Sequence, residues 1–179
     1  MTMERLIVGS LQTNCYILES NKIGLVIDPG AEPEKIIKAV SGLKIQLILA
    51  THQHFDHINA LKEIKKATHA KAAIHHLDWI DGFDMRLEHG QRIQLGSEYI
   101  TVLHTPGHTP GGCCFLAGND LFSGDTLFPG GPGNTSFSAD DEQIILKSIR
   151  EKLLKLPNET KVYPGHGLAT TIGQERGLY

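Results

Sequence analysis

Seven consecutive residues, Thr51-His52-Gln53-His54-Phe55-Asp56-His57, place three imidazoles and a carboxylate directly behind the apolar run 45–50. So many polar donors in so short a span are hard to reconcile with core packing. The apolar run reads as a buried strand, and the donors then lie where it gives way to a loop. Imidazole nitrogen suits zinc and iron, and a carboxylate compensates the charge of a divalent ion. The segment predicts a metal centre at a strand end.

The surrounding sequence supplies a frame for it. Short apolar or β-branched runs over 5–8, 15–19 and 23–27 predict three strands, broken by Gly9-Ser10 and by Ser20-Asn21-Lys22. Pro33 sits in the first turn of a helix with Ile36, Ile37 and Val40 on one side, closed by Ser41-Gly42. Ile58, Leu61 and Ile64, with charged residues between them, predict one amphipathic helix starting where the cluster ends. Further strands are expected over 72–74, around Ile93, and over 99–103, 113–116, 121–122 and 162–163, with a helical turn over 77–80. Ser138 is the expected cap of a last helix, with Asp140, Asp141 and Glu142 in its first turn and Ile145, Ile149 and Leu153 as its buried stripe. Strands and helices do not alternate strictly, which predicts an α+β fold of mixed sheets covered by helices.

Composition narrows the function classes. A chain of 179 residues fits one domain with a substantial core. A net charge of −3 leaves no excess of lysine and arginine for nucleic acid or an anionic membrane, and the single Trp79 argues against base stacking. The expected partner is a small-molecule substrate. Neither a signal peptide nor an apolar span is read in the sequence, so the expected location is the cytoplasm. Three cysteines, two of them adjacent (Cys113, Cys114), make no disulfide framework and read as reduced thiols in strands.

Three more segments pair a metal-type donor with a glycine-rich turn after an expected strand. They are His108 in His104-Thr105-Pro106-Gly107-His108-Thr109-Pro110-Gly111-Gly112, Asp125 in Ser123-Gly124-Asp125-Thr126, and His166 in Pro164-Gly165-His166-Gly167. Loops at one end of a sheet converge in space. With His52, His54, Asp56 and His57 they make seven donors, too many for one tetrahedral ion and enough for two ions sharing a bridge. His69, His75, His76 and His89 read as ordinary surface or core histidines. His104 reads as a strand-end residue or a brace behind a ligand, and Asp28 as either a turn starter or a group that orients a ligand.

The strings THQHFDH, HTPGHTPGG, SGDTLF and PGHG, in this order and with Asn14-Cys15-Tyr16 and Ile27-Asp28-Pro29-Gly30 before them, resemble the metallo-β-lactamase superfamily. The likeness is greatest to its glyoxalase II-like hydrolases and covers nearly the whole chain. It implies a four-layer αββα sandwich of two mixed sheets flanked by helices, with the site at one sheet edge. It further implies that His52, His54 and His108 hold one ion, that Asp56, His57 and His166 hold a second, and that Asp125 bridges them. The ions would be zinc first, with iron or manganese as alternatives. The implied reaction is hydrolysis of a thioester, such as an acyl-glutathione, by a metal-bridging hydroxide that Asp56 also orients. The sequence departs from the pattern twice: it ends at Tyr179 without the helical glutathione-gripping domain of full-length glyoxalase II, and Asn134 stands where relatives commonly carry arginine. Two rival expectations remain. One is a mononuclear Fe(II) persulfide dioxygenase of the same fold, its iron on the counterparts of His52, His54 and Asp125 or His108. The other is a metal-binding module without catalysis.

Overall fold

A computed structural model describes residues 1–135 and 139–179, so the expected cap Ser138 lies outside the described residues, as does the Asp140 side chain. Strands β1 (Thr2–Val8), β2 (Thr13–Ser20) and β3 (Ile23–Ile27) form an antiparallel meander. Helix α1 (Pro33–Ala39) then crosses over to β4 (Lys44–Leu49), which lies parallel to β3. The short α2 (Phe55–Ile58) and α3 (Leu61–Thr68) lead to β5 (Lys71–His75), and β6 (Met85–Leu87) closes the first sheet in the order β1-β2-β3-β4-β5-β6. Parallel neighbours need a crossover connection, usually a helix, and here two of them put α1 and α3 on one face.

The second sheet uses β7 (Arg92–Leu95), β8 (Glu98–His104), β9 (Cys113–Ala117) and β10 (Asp120–Gly124) as an antiparallel run. A two-stranded ribbon of β11 (Leu127–Phe128) and β12 (Gly131–Pro132) follows. Helix α4 (Ala139–Ser148), extended by a π-helical turn over Ile149–Leu153, carries the chain to β13 (Lys161–Pro164), which lies parallel to β10. β14 (Thr170–Thr171) and the one-turn α5 (Ile172–Glu175) end the sheet, whose order is β14-β13-β10-β9-β8-β7.

Side-chain alternation turns these sheets into layers. On β2, Cys15 and Ile17 pack outward with Ile36 and Ile64 of the helices. Tyr16 and Leu18 point the other way, into a second apolar cluster with Phe115 and Phe122 of the opposite sheet. On β9 and β10, Cys114 and Leu121 face outward against Ile145, Ile149 and Leu153. Three apolar interlayers separate four layers, helix, sheet, sheet and helix, as the family likeness implies. Strands buried on both faces are apolar on both, which is why 23–27 and 45–50 read as continuous runs.

Several expectations need correction. The single helix after the histidine cluster is two: α2 lies inside the cluster and α3 starts at Leu61, with the break pinned by the Ala60 N–H donating to the Pro29 carbonyl at 3.0 Å. β1 starts at Thr2 rather than at residue 5, because pairing with the apolar β2 recruits polar residues at the sheet edge. β6, β14 and the β11–β12 ribbon have no periodicity of their own and form because a neighbouring strand offers hydrogen bonds. The turn expected over 77–80 is a 3₁₀ turn over His76–Asp78. The cysteines match expectation: all three are free and buried, Cys15 in β2 and the others in β9, and burial pushes the Cys114 thiol up to about 11.

The layer between the sheets should dominate stability. Phe115 is fully buried there, so Phe115→Ala should cost about 3–5 kcal/mol in urea unfolding. Leu168→Ala, at a side chain 73% exposed, should stay within about 0.5 kcal/mol of wild type. Equal losses would contradict the layering.

Candidate metal centre

The histidine cluster begins where β4 runs out at Leu49. Thr51 closes the strand end against the other sheet, its carbonyl accepting the Cys113 N–H at 2.8 Å. The short α2 then turns Asp56 and His57 back toward His52 and His54. From the second sheet, His108 comes from the loop after β8, Asp125 from the end of β10 and His166 from the end of β13. The two sheets are stitched at this edge: the Asn14 side chain donates to the Pro164 and Gly167 carbonyls at 2.9 and 3.1 Å, and the Tyr16 hydroxyl donates to Pro164 at 2.6 Å. That places the Asn14-Cys15-Tyr16 string beside Pro164-Gly165-His166-Gly167.

All seven sequence-predicted donors converge. Ligand-type atoms of His52, His54 and His108 lie within 4.8 Å of one another, as do those of His52, His57 and Asp125, and those of Asp56, His57 and His166. Nε2 of His108 is 3.0 Å from Nδ1 of His54, and Nε2 of His57 is 3.3 Å from Nε2 of His166. Asp125 reaches both sides, with Oδ2 3.6 Å from His108 and Oδ1 3.5 Å from His57. Asp56 Oδ2 lies 3.2 Å from His166 and accepts the Thr13 hydroxyl at 3.1 Å. Among the described residues, no such group contains His69, His75, His76, His89 or His104.

The ring protons are placed away from the centre. His57 Nδ1 lies 2.9 Å from Asp28 Oδ2, His108 Nδ1 2.7 Å from the Asn134 carbonyl, and His166 Nδ1 3.0 Å from the Leu11 carbonyl. Each acceptor has no proton to give, so Nδ1 must be the donor. His52 Nδ1 sits 3.0 Å from the Thr51 hydroxyl, which itself donates to Asp28 at 2.7 Å. In all four rings the proton is on Nδ1, which leaves the Nε2 lone pair for a cation wherever the ring is neutral. Asp28 is therefore an orienting residue, held at φ 53° while it also accepts the Thr51 N–H. His104 is a brace: its Nε2 bonds the Pro110 carbonyl at 2.9 Å across the His108 loop. Thr51, Thr13 and the Leu11 and Asn134 carbonyls escape sequence reading, the carbonyls because a backbone acceptor leaves no residue-type signal.

Electrostatics agree with this arrangement. Burial, then the neighbouring imidazoles, holds His52 well below the ordinary histidine range, and burial with His108 lowers His54. Both rings are neutral near pH 7. His57 goes the other way: burial pulls it down, but Asp28, Asp125 and Asp56 outweigh that and lift it to about 9. Among the described residues four buried side-chain atoms have no hydrogen-bond partner, and two of them, His52 Nε2 and Asp125 Oδ1, lie in this centre. Buried polar atoms left unpaired are costly, and a cation would satisfy both, so the residues fit a divalent metal. Gly165 is part of the same fit, since a Cβ there would fall 2.3 Å from Asp125 Oδ1 and 2.6 Å from His57 Cε1.

Residues 8–166 match the metallo-beta-lactamase superfamily. The chain belongs to that superfamily. The hydroxyacylglutathione hydrolase GloC of Haemophilus influenzae is 34% identical over 98% of this chain and 95% of its own. The probable metallo-hydrolase YqgX of Bacillus subtilis is 34% identical with the same coverage. The crystal structure of TTHA1623 in a di-iron-bound form superposes with a TM-score of 0.84 at 35% identity, over 97% of this chain and 96% of that one. The metallo-beta-lactamase fold and a metal-binding hydrolase class follow. No helix among the described residues is long and apolar enough to cross a membrane.

Two outcomes test the centre. In protein stripped by chelation, His57 has its folded pKa raised above the ordinary value of about 6.5. The stability from its proton is thus complete below pH 6.5 and lost as pH climbs toward 9. The melting temperature of stripped protein should fall over that window, and Asp28→Asn should flatten the fall; a level wild-type profile contradicts the assignment. Gly165→Ala should weaken divalent-ion uptake at least about tenfold by equilibrium dialysis, while a variant loading like wild type would show the cradle to be loose.

Proposed function

We propose that this superfamily member is a thioester hydrolase of glyoxalase II type, acting on an acyl-glutathione or a related small thioester through two divalent ions. The observation that carries the reading is the inward-facing set of five imidazoles and two carboxylates, with Asp125 spanning its two halves. His52, His54 and His108 would hold one ion, Asp56, His57 and His166 the other, and Asp125 both. Such ions supply Lewis-acid activation of water and of the substrate carbonyl at neutral pH. Zinc is the first candidate, with iron or manganese as alternatives on the same donors.

The chain's own residues do the remaining work. Thr13 fixes Asp56, the proposed positioner of the attacking water. Asp28 and Thr51 fix the rings of His57 and His52. Water adds to the carbonyl carbon, the C–S bond breaks, and the products are a carboxylic acid and a thiol. A thiolate leaves without much proton donation, so no separate general acid is required. The cysteines offer no rival nucleophile, because burial holds the Cys113 thiol well above its usual value. The relative named as a hydroxyacylglutathione hydrolase supports the thioester class.

His54→Ala and Asp125→Ala should each lower hydrolysis of S-lactoylglutathione or a simpler thioester by several orders of magnitude, with the fold retained by circular dichroism. Near-wild-type turnover in either variant would overturn the ligand assignment. Elemental analysis with a panel of thioester, persulfide and lactam separates the rivals. Oxygen uptake on a glutathione persulfide with one iron per chain would favour the dioxygenase, and no turnover at all a binding module.

A further inference from the structure

We propose that Asp78 is a positioning residue that ties the loop carrying His52 and His54 to the loop carrying His108. In that role it sets how tightly the three-histidine group holds a cation. The inference rests on the metal-binding reading of the centre and is independent of the thioester substrate.

Asp78 lies in the 3₁₀ turn after β5, in the sequence His76-Leu77-Asp78-Trp79, and is 1% exposed. Its carboxylate belongs to none of the ligand-type groups among the described residues. It nevertheless accepts three hydrogen bonds, and all three come from the two ligand loops. Oδ2 takes the Gln53 N–H at 3.2 Å and the Thr109 hydroxyl at 2.6 Å, and Oδ1 takes the Gly111 N–H at 2.6 Å. Gln53 stands between His52 and His54, and Thr109 directly follows His108.

The geometry leaves little slack. A Cβ on Gly111 would fall 2.5 Å from the Asp78 backbone nitrogen and 2.6 Å from its Cγ, so the 105–112 loop closes on this carboxylate at a position only glycine allows. A buried carboxylate is costly to desolvate unless its hydrogen bonds offset the cost. Here those bonds join a loop that follows β4 of the first sheet to one that follows β8 of the second. Three histidines on two loops form a tight cation site only when the loops keep a fixed separation, and Asp78 fixes it.

The test uses the full chain, with Co²⁺ as the probe in a competition titration that resolves two sites. His54→Ala and His166→Ala serve as references that assign each site. Asp78→Asn, which sets an amide NH₂ against a donor, and Thr109→Val, which removes the hydroxyl, should each weaken the three-histidine site about 10–100-fold. Affinity at the Asp56–His57–His166 site should stay within about threefold, and Thr109→Ser should restore the first site. Parallel weakening of both sites, or wild-type affinity in both variants, would overturn the proposal. Wild-type protein that took up no Co²⁺ would remove the metal reading and this inference with it, a distinct failure.

Discussion

Five imidazoles and two carboxylates, in overlapping groups of three whose ligand-type atoms lie within 4.8 Å, raise a problem of proton placement before any question of metal. A neutral imidazole has one proton, and if it points inward the ring is a donor and useless as a ligand. Four of the rings solve this with a fixed outward acceptor: the Asp28 carboxylate, the Thr51 hydroxyl, and the Leu11 and Asn134 carbonyls. His57 shows the balance most clearly. Asp28 holds its Nδ1 proton, and the nearby carboxylates favour a second proton on the same ring. A divalent cation replaces that second proton with a charge the carboxylates favour more.

The scaffold exists to keep these acceptors still. Asp28 and Thr51 lie just past strand ends, Leu11 in the turn between β1 and β2, and Asn134 just after β12. Asn14 and Tyr16 lock β2 to the end of β13, and Asp28 locks the end of β3 to Thr51. Close approach is the second requirement. Gly124, at φ 49°, lets the Asp125 turn pass within reach of Thr51, and a Cβ on it would fall 2.5 Å from the Thr51 hydroxyl. The glycines flanking the donors are thus part of the coordination geometry rather than generic turn formers.

Much of this could be read from the sequence, and the reasons differ by element. The buried strands were legible because both faces are apolar, and the donors because their chemistry is rare in a core. The outer helix layer was legible from the spacing of Ile145, Ile149 and Leu153, although the π turn over Ile149–Leu153 left no mark. Asp28 stayed ambiguous in sequence because Asp-Pro-Gly is equally a turn signal, and only its bonds to Thr51 and His57 decide the matter. Asp78 was missed although a carboxylate set between Leu77 and Trp79 was a usable hint. Strand edges such as β6 and β14 were illegible because their pairing is imposed from outside.

The two sheets also divide the chain in sequence. Everything from β1 to β6 lies before residue 88, and everything from β7 to β14 lies after residue 91. The proposed ligands divide the same way, with His52, His54, Asp56 and His57 in the first half and His108, Asp125 and His166 in the second. Neither half-chain can complete a coordination shell alone. An ion bound on these ligands would act as a non-covalent clasp between two half-molecules, adding to the seam that Asn14 and Tyr16 already stitch.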